Sequence, residues 1–437
     1  MADIHPFQGL HYNPSLVKDL SKVICPPYDI IPPQLQQQLY QRSEYNFIRI
    51  EFTRELPQDK EGDNKYTRAS ATLEKWLEEG ILTVDKKPAV YIDDHSFDFK
   101  GKQYRRRSIT CLVKLEEWDK GIIRPHEGTL SRAKSDRLNL LWALKADTSP
   151  IMALYEDAEK QISSLLASRI TGKPFFDTAD WEGNRHKVWA VTDRNTIERL
   201  HEYLAGHSLY IADGHHRYES ALNYRRQRRS GQGTFSENEP FDYVMMTLID
   251  FNDPGLVILP AHRLVRGLPI SALETLRKDL KVCFSIDDYP LYEMDVTQQL
   301  ANLLSGREDE VKIVLFGLDK GRILRLTLNN PKIIDPMMPL FHSEIYRKLD
   351  VSIVDHVIIE EFLGLSHDSA GAPIDYTNDS AEAIRRVKDQ EYQLAIIINP
   401  VKPFYIKSIA DSGDRMPRKS TYFFPKIPAG LLLYRFG

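Results

Sequence analysis

The sequence predicts an α/β protein. From residue 186 onward, strand-like and helix-like segments alternate: "HKVWAVT", "RNTIERLHEYLAG", "SLYIA" and "RYESALNYRRQRR". This alternation is typical of strands whose faces are covered by helices. The chain has 437 residues, more than one hydrophobic core usually organises. We therefore expect two regions, 1–267 and 268–437.

The elements before residue 186 follow from apolar periodicity and turn residues. Helices are predicted over 33–40 and 65–79, and Gly80 ends the second. The segments "AVYIDDHSFDF" and "QYRRRSITCLVKL" flank Lys100-Gly101, which predicts a hairpin. A helix around Leu138–Leu144 then precedes the apolar strand "SPIMALYED". The short segment "NFIRIE" has the alternation of a strand, with Arg49 inside it.

Strands and helices also alternate in the later part of the chain. Two strands, "FDYVMMTLIDF" and "GLVILPAHRLV", close the first region. Helices are predicted over 270–280, 293–305, 341–363 and 379–389, with a hairpin at 319–321 and a strand at "QLAIIIN". The final segment, "RMPRKSTYFFPKIPAGLLLYRF", predicts turns followed by an apolar strand.

Composition excludes several classes of protein. Apolar residues make up 42% and charged residues 27%, which is ordinary for a folded chain, and the net charge is −4. That charge gives no general attraction to nucleic acid. No apolar run is long enough to span a membrane, and the first residues do not have the pattern of a secretory signal. The three cysteines are far apart and form no C-x-x-C pair, so a reducing cytoplasm is expected.

The segment "YIADGHHRYESA" has the densest polar cluster, five consecutive polar or glycine positions between a strand and a helix. Glycine permits close backbone approach, the first helical N–H groups have no partner within the helix, and a guanidinium binds phosphate oxygens bidentately. The five residues are Asp213, Gly214, His215, His216 and Arg217. The cluster predicts a phosphate site, with Asp213 as a ligand of a bridging Mg²⁺. The alternative is a structural helix cap with two ordinary histidines.

Other polar groups lie beside apolar runs, where a buried charge needs a partner. They are Tyr28 and Asp29 in "CPPYDII", Arg49, Arg124, His126 and Glu127 in "IRPHEGT", His262 and Arg263 in "LPAHRLV", and Lys419, Ser420, Thr421 and Lys426 in "MPRKSTYFFPK". Each has a structural alternative, such as a solvated turn or a buried ion pair. Their number predicts that the blocks around Arg124, Asp213, Arg263 and Lys419 converge on one cleft.

Six of these blocks, "CPPYDII", "IRPHEGT", "SPIMALYED", "YIADGHHRYESA", "ILPAHR" and "RMPRKSTYFFPK", carry a resemblance that covers about residues 5–430. In this order they resemble the signature blocks of a widespread bacterial family catalogued as a domain of unknown function. The D-G-H-H-R string is similar to a nucleotide-phosphate-binding loop of the ParB/sulfiredoxin-like superfamily, and ADP-dependent free-serine kinases carry the same string. Some members of the family are pyrophosphate-dependent L-serine kinases.

The resemblance implies a ParB/sulfiredoxin-like core within 1–267 and a C-terminal region, 268–437, that adds a late motif to the site. It also implies phosphoryl transfer to a small hydroxyl compound such as free L-serine. Pyrophosphate, or less readily a nucleotide, would bind with Mg²⁺ at Gly214. Arg217 would neutralise developing charge, with Arg124, Arg263 or Lys419 in support, and Asp29 or Glu127 would accept the hydroxyl proton.

Three alternatives stay open at this stage. A ParB-like nucleic-acid binder or nuclease would use the basic run at 225–229, although the net charge opposes it. A metal-dependent hydrolase would use the same histidines and carboxylates, although no H-E-x-x-H or comparable ligand spacing is present. A non-catalytic interaction protein is the third. No G-x-x-x-x-G-K-[ST] motif is present, which disfavours an adenine nucleotide as donor.

Overall fold

The computed structural model describes residues 1–231, 235–292, 294–307, 310–366 and 373–437, and it confirms the mixed α/β class. Its internal contacts divide the chain into two units. Unit 1 comprises Met1–Pro125, Thr129–Val257 and Pro425–Gly437, and unit 2 comprises His126–Gly128 and Ile258–Phe424. The domain boundary expected at residue 267 stays a prediction.

The strands follow one another along the chain in both units. In chain order they are β1 Ile4–His5, β2 Leu10–Tyr12, β3 Leu82–Val84, β4 Val90–Phe99, β5 Lys102–Lys114, β6 Ile123–Pro125, β7 Ala146–Asp147, β8 Ile151–Tyr155, β9 Phe176–Ala179, β10 Arg185–Val191, β11 Leu209–Asp213, β12 Tyr243–Asp250, β13 Val257–Leu259, β14 His262–Val265, β15 Phe284–Pro290, β16 Lys312–Phe316, β17 Arg322–Leu328, β18 Ile374–Thr377, β19 Leu394–Ile397, β20 Tyr422–Phe424 and β21 Tyr434–Arg435.

The α-helices differ widely in length. They are α1 Pro33–Arg42, α2 Ile48–Glu51, α3 Lys65–Glu78, α4 Ser131–Leu144, α5 Gln161–Arg169, α6 Arg194–Ala205, α7 His215–Ser230, α8 Ile270–Cys283, α9 Val296–Leu304, α10 Pro331–Ile334, α11 Glu344–Arg347, α12 Asp350–Ile353, α13 Ser380–Lys388 and α14 Pro403–Asp411. Short 3₁₀ turns occupy Leu20–Lys22, Tyr28–Ile30, Trp118–Lys120, Pro240–Asp242 and Asp335–Met337, and a π-helix occupies Val354–Phe362.

Unit 1 is built on a sheet whose strands lie in the order β6-β11-β8-β12-β5-β4-β10-β9, with β1 paired to β5. Side chains alternate between its two faces. Ile92 of β4 and Met246 of β12 pack into the core that includes Leu200 of α6, whereas Tyr91 and Met245 pack into the core on the opposite face, which includes Trp76 of α3. The sheet is therefore buried on both faces, as a helix-covered sheet requires.

Unit 2 has its own sheet, in the order β15-β17-β16-β19-β14-β18. Its core gathers apolar side chains of the sheet, such as Val314 and Ala395, against Leu300 of α9 and Ile384 of α13. Within the described part of the chain, no helix combines the length and the apolar content that crossing a bilayer requires.

Three predictions about elements are corrected by the structure. The segment around Arg49 is the short helix α2, so the strand prediction was wrong. One turn of helix can bring Ile48 and Ile50 inward, and over four residues this pattern resembles strand alternation. The helix predicted over 341–363 is divided into α11, α12 and the π-helix. The apolar strand predicted near the C-terminus is reduced to the two residues of β21.

Unit 2 contains a buried ion pair between Arg263 and Asp355. Arg263 is fully buried, and its Nε and Nη2 lie 2.9 and 3.0 Å from the carboxylate oxygens of Asp355. Removing one partner of a buried ion pair leaves the other charge uncompensated. We expect Arg263→Met to lower the free energy of unfolding of unit 2 by about 3–5 kcal/mol, measured by urea denaturation.

The exposed neighbour Arg266 provides the matched control, since a surface change there is expected to cost no more than about 0.5 kcal/mol. The double variant Arg263→Met/Asp355→Leu removes both charges and should recover most of the loss. Equal effects of Arg263→Met and Arg266→Met would contradict the assignment of this pair as a buried structural contact.

Candidate active site

The polar loop lies where the sequence predicts it, between the buried strand β11 and the first turn of α7. Gly214 has φ of +94°, a left-handed conformation that favours glycine. A Cβ atom at this position would come within 2.9 Å of the Arg217 guanidinium. The side chain of Arg217 therefore folds back over Gly214, and both the conformation and the space require glycine.

Asp213, the last residue of β11, contacts two cationic side chains. Its Oδ1 accepts a hydrogen bond from Lys426 Nζ, and its Oδ2 accepts one at 2.7 Å from Arg217 Nη2. Burial would raise the pKa of Asp213, but the positive charges of Lys426 and Arg217 outweigh burial and hold the pKa well below its usual range. Asp213 is therefore an ionised carboxylate between two cations.

Arg217 also connects α7 to the segment that precedes β8. Its Nη1 donates to the Ser149 hydroxyl at 3.0 Å and to the Pro150 carbonyl at 2.6 Å. Among the described residues, nothing accepts a hydrogen bond from its buried Nε. The guanidinium thus fixes the start of the helix and keeps one buried donor beyond these contacts.

Lys426, the last residue of the late motif, belongs to unit 1 and contacts the loop. Its side chain is almost completely buried, and Nζ lies 4.0 Å from Oδ2 of Asp29 as well as against Asp213. Asp29 stands in the 3₁₀ turn Tyr28–Ile30, and its carboxylate is 30% exposed. One ammonium therefore lies between the carboxylate of Asp213, which is 16% exposed, and that of Asp29, which is 30% exposed.

Glu51 supports this arrangement from inside the core and was not predicted as a site residue. It is fully buried; its carboxylate accepts hydrogen bonds from Thr148 and Ser149, and Arg137 Nη1 lies 3.8 Å away. The same guanidinium lies 4.0 Å over the Tyr28 ring. Glu51 thus positions the hydroxyl that Arg217 contacts. In the sequence Glu51 is a single carboxylate at the end of "NFIRIE", and only Arg49 of this segment was predicted as a site residue.

The two histidines of the loop have different surroundings. His215 is buried, and its imidazole contributes to lowering the pKa of Asp213. His216 is partly exposed, and its Nε2 accepts a hydrogen bond from the Leu130 N–H at 2.8 Å. This bond holds His216 against the segment that precedes α4. A role of either histidine toward a phosphate stays a prediction.

Arg124 lies on β6, the parallel neighbour of β11, opposite Tyr210. Its Nε donates to the Gly121 carbonyl at 2.8 Å, and its guanidinium lies 5.6 Å from the centre of the Tyr210 ring. The strand pairing places Arg124 on the same edge of the sheet as the loop. Its supporting role toward a phosphate stays a prediction.

A second polar cluster belongs to unit 2. Glu127 Oε1 accepts hydrogen bonds at 3.2 Å from the backbone N–H groups of Ser420 and Thr421 and from the Thr421 hydroxyl. His126 Nε2 lies 3.0 Å from the same hydroxyl. Glu127 therefore holds the turn after Lys419, whose φ is +57°. A carboxylate with these donors is less suited to accept a substrate proton than the exposed carboxylate of Asp29.

The remaining candidates have contacts of their own. Arg49 Nε and Nη2 donate to the carbonyls of Glu44 and Tyr40, at 2.7 and 3.0 Å. His262 Nδ1 accepts from the Ile398 N–H at 3.3 Å, and Arg263 pairs with Asp355. Because these side chains bind protein groups, Arg49, His262 and Arg263 are not part of the proposed site. The convergence expected for Arg124, Asp213, Arg263 and Lys419 stays a prediction.

The basic run on α7 is balanced by carboxylates. Arg225 and Arg226 both pair with Glu117, and Arg229 pairs with Asp242. An arginine side chain that is already paired offers less to a nucleic-acid backbone than a solvated one. The run therefore gives little support to the nucleic-acid alternative.

Mg²⁺ does not fit Asp213 as the sequence suggested. Both carboxylate oxygens of Asp213 are taken by cationic side chains, Lys426 and Arg217, and the imidazole of His215 lies near as well. Mg²⁺ prefers oxygen ligands and commonly enters such sites on the phosphates of a substrate. We therefore derive no step through a protein-bound Mg²⁺.

Sequence comparison identifies the family. The family model described as "Protein of unknown function (DUF1015)" matches residues 4–352. The chain belongs to this family. The match ends before the late motif that contains Lys426. No curated protein matches the sequence.

Solved structures give distant likenesses. One is a conserved hypothetical protein from Pyrococcus furiosus, with a TM-score of 0.34 and 12% identity, over 73% of this chain and 93% of that one. A free serine kinase in complex with AMP has a TM-score of 0.36 and 10% identity, over 74% and 91%. SbnI from Staphylococcus aureus, with a C-terminal truncation, has a TM-score of 0.35 and 10% identity, over 74% and 87%. At these low TM-scores the likenesses support no conclusion about activity.

Asp147, close to the Arg217 contacts, gives a pH prediction. Burial raises its pKa to about 7, so the folded chain holds a proton that the unfolded chain loses near pH 4. The resulting stabilisation is present below about pH 4 and is lost as the pH rises through about 7. Asn at this position has no proton to lose and can still accept from the Met245 N–H. Between about pH 5 and pH 8, the melting temperature of wild type should fall relative to that of Asp147→Asn. If the melting temperatures of wild type and Asp147→Asn changed in parallel with pH, the pKa of Asp147 would not be raised in the folded protein.

Proposed function

We propose that this protein is a small-molecule kinase that transfers a phosphoryl group to the hydroxyl of free L-serine or a similar small hydroxyl compound, with pyrophosphate as the preferred donor. The observation that carries the proposal is the pairing of Asp213 with both Arg217 and Lys426 at the start of α7. Two cations, a left-handed glycine and a helix N-terminus meet at this point of unit 1.

Anion binding follows from these features together. The first N–H groups of a helix have no partner within the helix and carry a partial positive charge. Gly214 has no side chain and provides no side-chain cap for them. The Arg217 and Lys426 side chains add two positive charges, which Asp213 alone does not balance. A phosphate group at Gly214 would meet donors that are already held in place, which is the arrangement that lowers the cost of phosphoryl transfer.

The acceptor proton has a destination in Asp29. This carboxylate is partly exposed and lies 4.0 Å from Lys426 Nζ. In the proposed step the hydroxyl oxygen attacks the terminal phosphorus while the bond from that phosphorus to the bridging oxygen breaks. The departing phosphate keeps the electron pair of that bond. The hydroxyl proton passes to Asp29, and Lys426 stabilises the charge that develops on the transferred group.

The resemblance of the D-G-H-H-R string and the accompanying blocks to serine-kinase sequences supports this reaction class and this acceptor. Pyrophosphate is preferred over ATP because the chain contains no G-x-x-x-x-G-K-[ST] motif. Mg²⁺ stays in the proposal only as the ion that accompanies the donor phosphates.

Turnover with defined donors tests the proposal. Pyrophosphate, ADP and ATP are each supplied with L-serine, and then with other small hydroxyl compounds, and products are followed by ³¹P NMR. We expect phosphoserine from pyrophosphate, and we expect Arg217→Ala to lower the rate by roughly 10²-fold or more. Arg226→Ala is the matched control, since Arg226 lies on the same helix, is half-exposed and pairs with Glu117. If no donor gives a phosphorylated product with any acceptor, the kinase proposal fails.

A further inference from the structure

Two histidines lie side by side on neighbouring strands of the sheet in unit 1. In the antiparallel pairing of β4 with β10, His95 lies directly opposite His186. Their rings stack with centroids 3.9 Å apart and planes inclined by 25°. Both side chains are buried, with exposed fractions of 2% and 0%. Two buried imidazoles need hydrogen-bond partners, a paired charge or a bound metal ion to offset the loss of hydration.

A carboxylate completes the group. Asp180 follows β9 and is 2% exposed, and its Oδ2 lies 3.9 Å from His186 Nε2. One ligand atom from each of the three side chains can be chosen so that all lie within 4.8 Å of one another. Asp180 also accepts backbone hydrogen bonds from Glu182 and Asn184, which hold the turn and fix the carboxylate. Nitrogen and oxygen donors are thus gathered around one point.

The nitrogens that face this point have no hydrogen-bond partner in the described part of the chain. His95 Nε2 and His186 Nε2 are both buried without an acceptor or a donor within reach. Buried polar atoms in native proteins are nearly always hydrogen-bonded, and a bound ion is one explanation of an exception. These two atoms are unpartnered, nine-tenths buried and part of the same three-residue group.

The surroundings of His186 match those of a metal ligand. Its Nδ1 lies 2.8 Å from Asp93 Oδ2. A carboxylate that accepts from Nδ1–H leaves the lone pair on Nε2, and metal-binding histidines commonly have such a carboxylate. With Asp180, the second carboxylate, the group carries two negative charges in a buried place. A divalent cation would balance them.

His95 needs one rearrangement. Its Nδ1 lies 3.2 Å from Arg106 Nη2, which can only donate, so in the neutral ring the proton stands on Nε2. Ligation through Nε2 moves this proton to Nδ1 and ends the contact with Arg106. The Nη2 of Arg106 retains its 2.8 Å hydrogen bond to the Pro425 carbonyl, so the guanidinium is not left without a partner. The adjoining cavity is lined by Asp93, His95, Arg106 and His186, and its volume of about 20 Å³ is enough for one water molecule.

We propose that His95, Asp180 and His186 bind one divalent transition-metal ion, with Zn²⁺ as the expected occupant. Two imidazoles and one carboxylate are a ligand set that Zn²⁺ and neighbouring first-row metals accept, whereas Mg²⁺ prefers oxygen ligands alone. Three protein ligands leave a position for water on the side of the cavity. These three ligands are not part of the loop at Gly214, and the proposal does not rest on the proposed kinase activity.

Metal binding by the full chain tests this proposal. The protein is stripped with a chelator, and Zn²⁺ is titrated calorimetrically; Co²⁺ is added in parallel, and its visible absorption reports the coordination geometry. We expect one Zn²⁺ per chain and a higher melting temperature with Zn²⁺. We expect His95→Gln to weaken binding by about 100-fold or more, since it removes a ligand and leaves the His186–Asp93 contact intact. Mg²⁺ should not compete.

His11→Gln is the matched control, because His11 is also buried and its Nε2 lies 3.1 Å from an aspartate, Asp85. It should bind Zn²⁺ as wild type does. Circular dichroism of the stripped variants excludes misfolding, and Asp180→Asn provides a second ligand change if His95→Gln does not fold. The proposal is overturned if wild type binds no Zn²⁺ or Co²⁺, or if both ligand variants bind as tightly as His11→Gln. In that case His186 is a structural imidazolium between Asp93 and Asp180.

Discussion

Lys426→Met is expected to lower kcat/KM for phosphoryl transfer by roughly 10³-fold. Lys426 contacts both carboxylates of the proposed site, Asp213 directly and Asp29 at 4.0 Å. Its loss removes a positive charge from beside the transferred phosphoryl group and leaves Arg217 as the remaining ion-pair partner of the partly buried Asp213 carboxylate. Initial rates with pyrophosphate and L-serine measure the effect.

Two controls separate chemistry from folding. Arg435→Met removes an exposed cation of the same C-terminal segment, which pairs with Glu74, and should leave the rate within about twofold of wild type. Lys426→Arg keeps the charge but changes its geometry, and it should recover part of the rate. Near-normal activity of Lys426→Met, with a normal circular dichroism spectrum, is incompatible with the proposed role.

Asp29→Asn is expected to lower kcat by about 10²- to 10⁴-fold, the range of a general base, with little change in the affinity for pyrophosphate. The amide has nearly the same shape as the carboxylate and cannot accept the hydroxyl proton. Calorimetric titration of pyrophosphate measures the affinity, and initial rates measure kcat. Loss of affinity together with kcat would indicate that Asp29 binds the donor rather than the proton.

Glu127→Gln discriminates between the two carboxylates that the sequence offered as the base. In the structure Glu127 Oε1 accepts three hydrogen bonds from the turn at Ser420 and Thr421. A glutamine oxygen can keep these bonds, so we expect a rate close to that of wild type. A large loss in Glu127→Gln beside normal activity in Asp29→Asn would assign the base to Glu127.

Local sequence patterns were sufficient for the elements that hold the loop. The change from the apolar "SLYIA" to the helical "RYESAL" predicted β11 and α7, because both signals lie within a few residues of each other. The same rule failed at Arg49, since four residues of α2 are too few to separate helical from strand periodicity. Short helices are set by the packing around them more than by their own pattern.

The composition of the site depends on contacts that no local pattern contains. Lys426 reaches Asp213 across 213 positions of sequence, and Thr148 reaches Glu51 across 97. The sequence marked Lys426 and Asp213 as candidates but gave no reason to pair them, and it gave Glu51 no role. The group of His95, Asp180 and His186 was missed entirely, because strand register brings its members together at spacings that match no metal motif.

A crystal structure with imidodiphosphate, a pyrophosphate analogue that resists hydrolysis, would show where the phosphate donor binds. We expect one phosphate group at Gly214, within hydrogen-bond distance of the first N–H groups of α7 and of Lys426 Nζ, with the second group directed toward Asp29. A well-ordered analogue bound elsewhere on the protein, with the Asp213–Arg217–Lys426 contacts unchanged, would contradict this expectation.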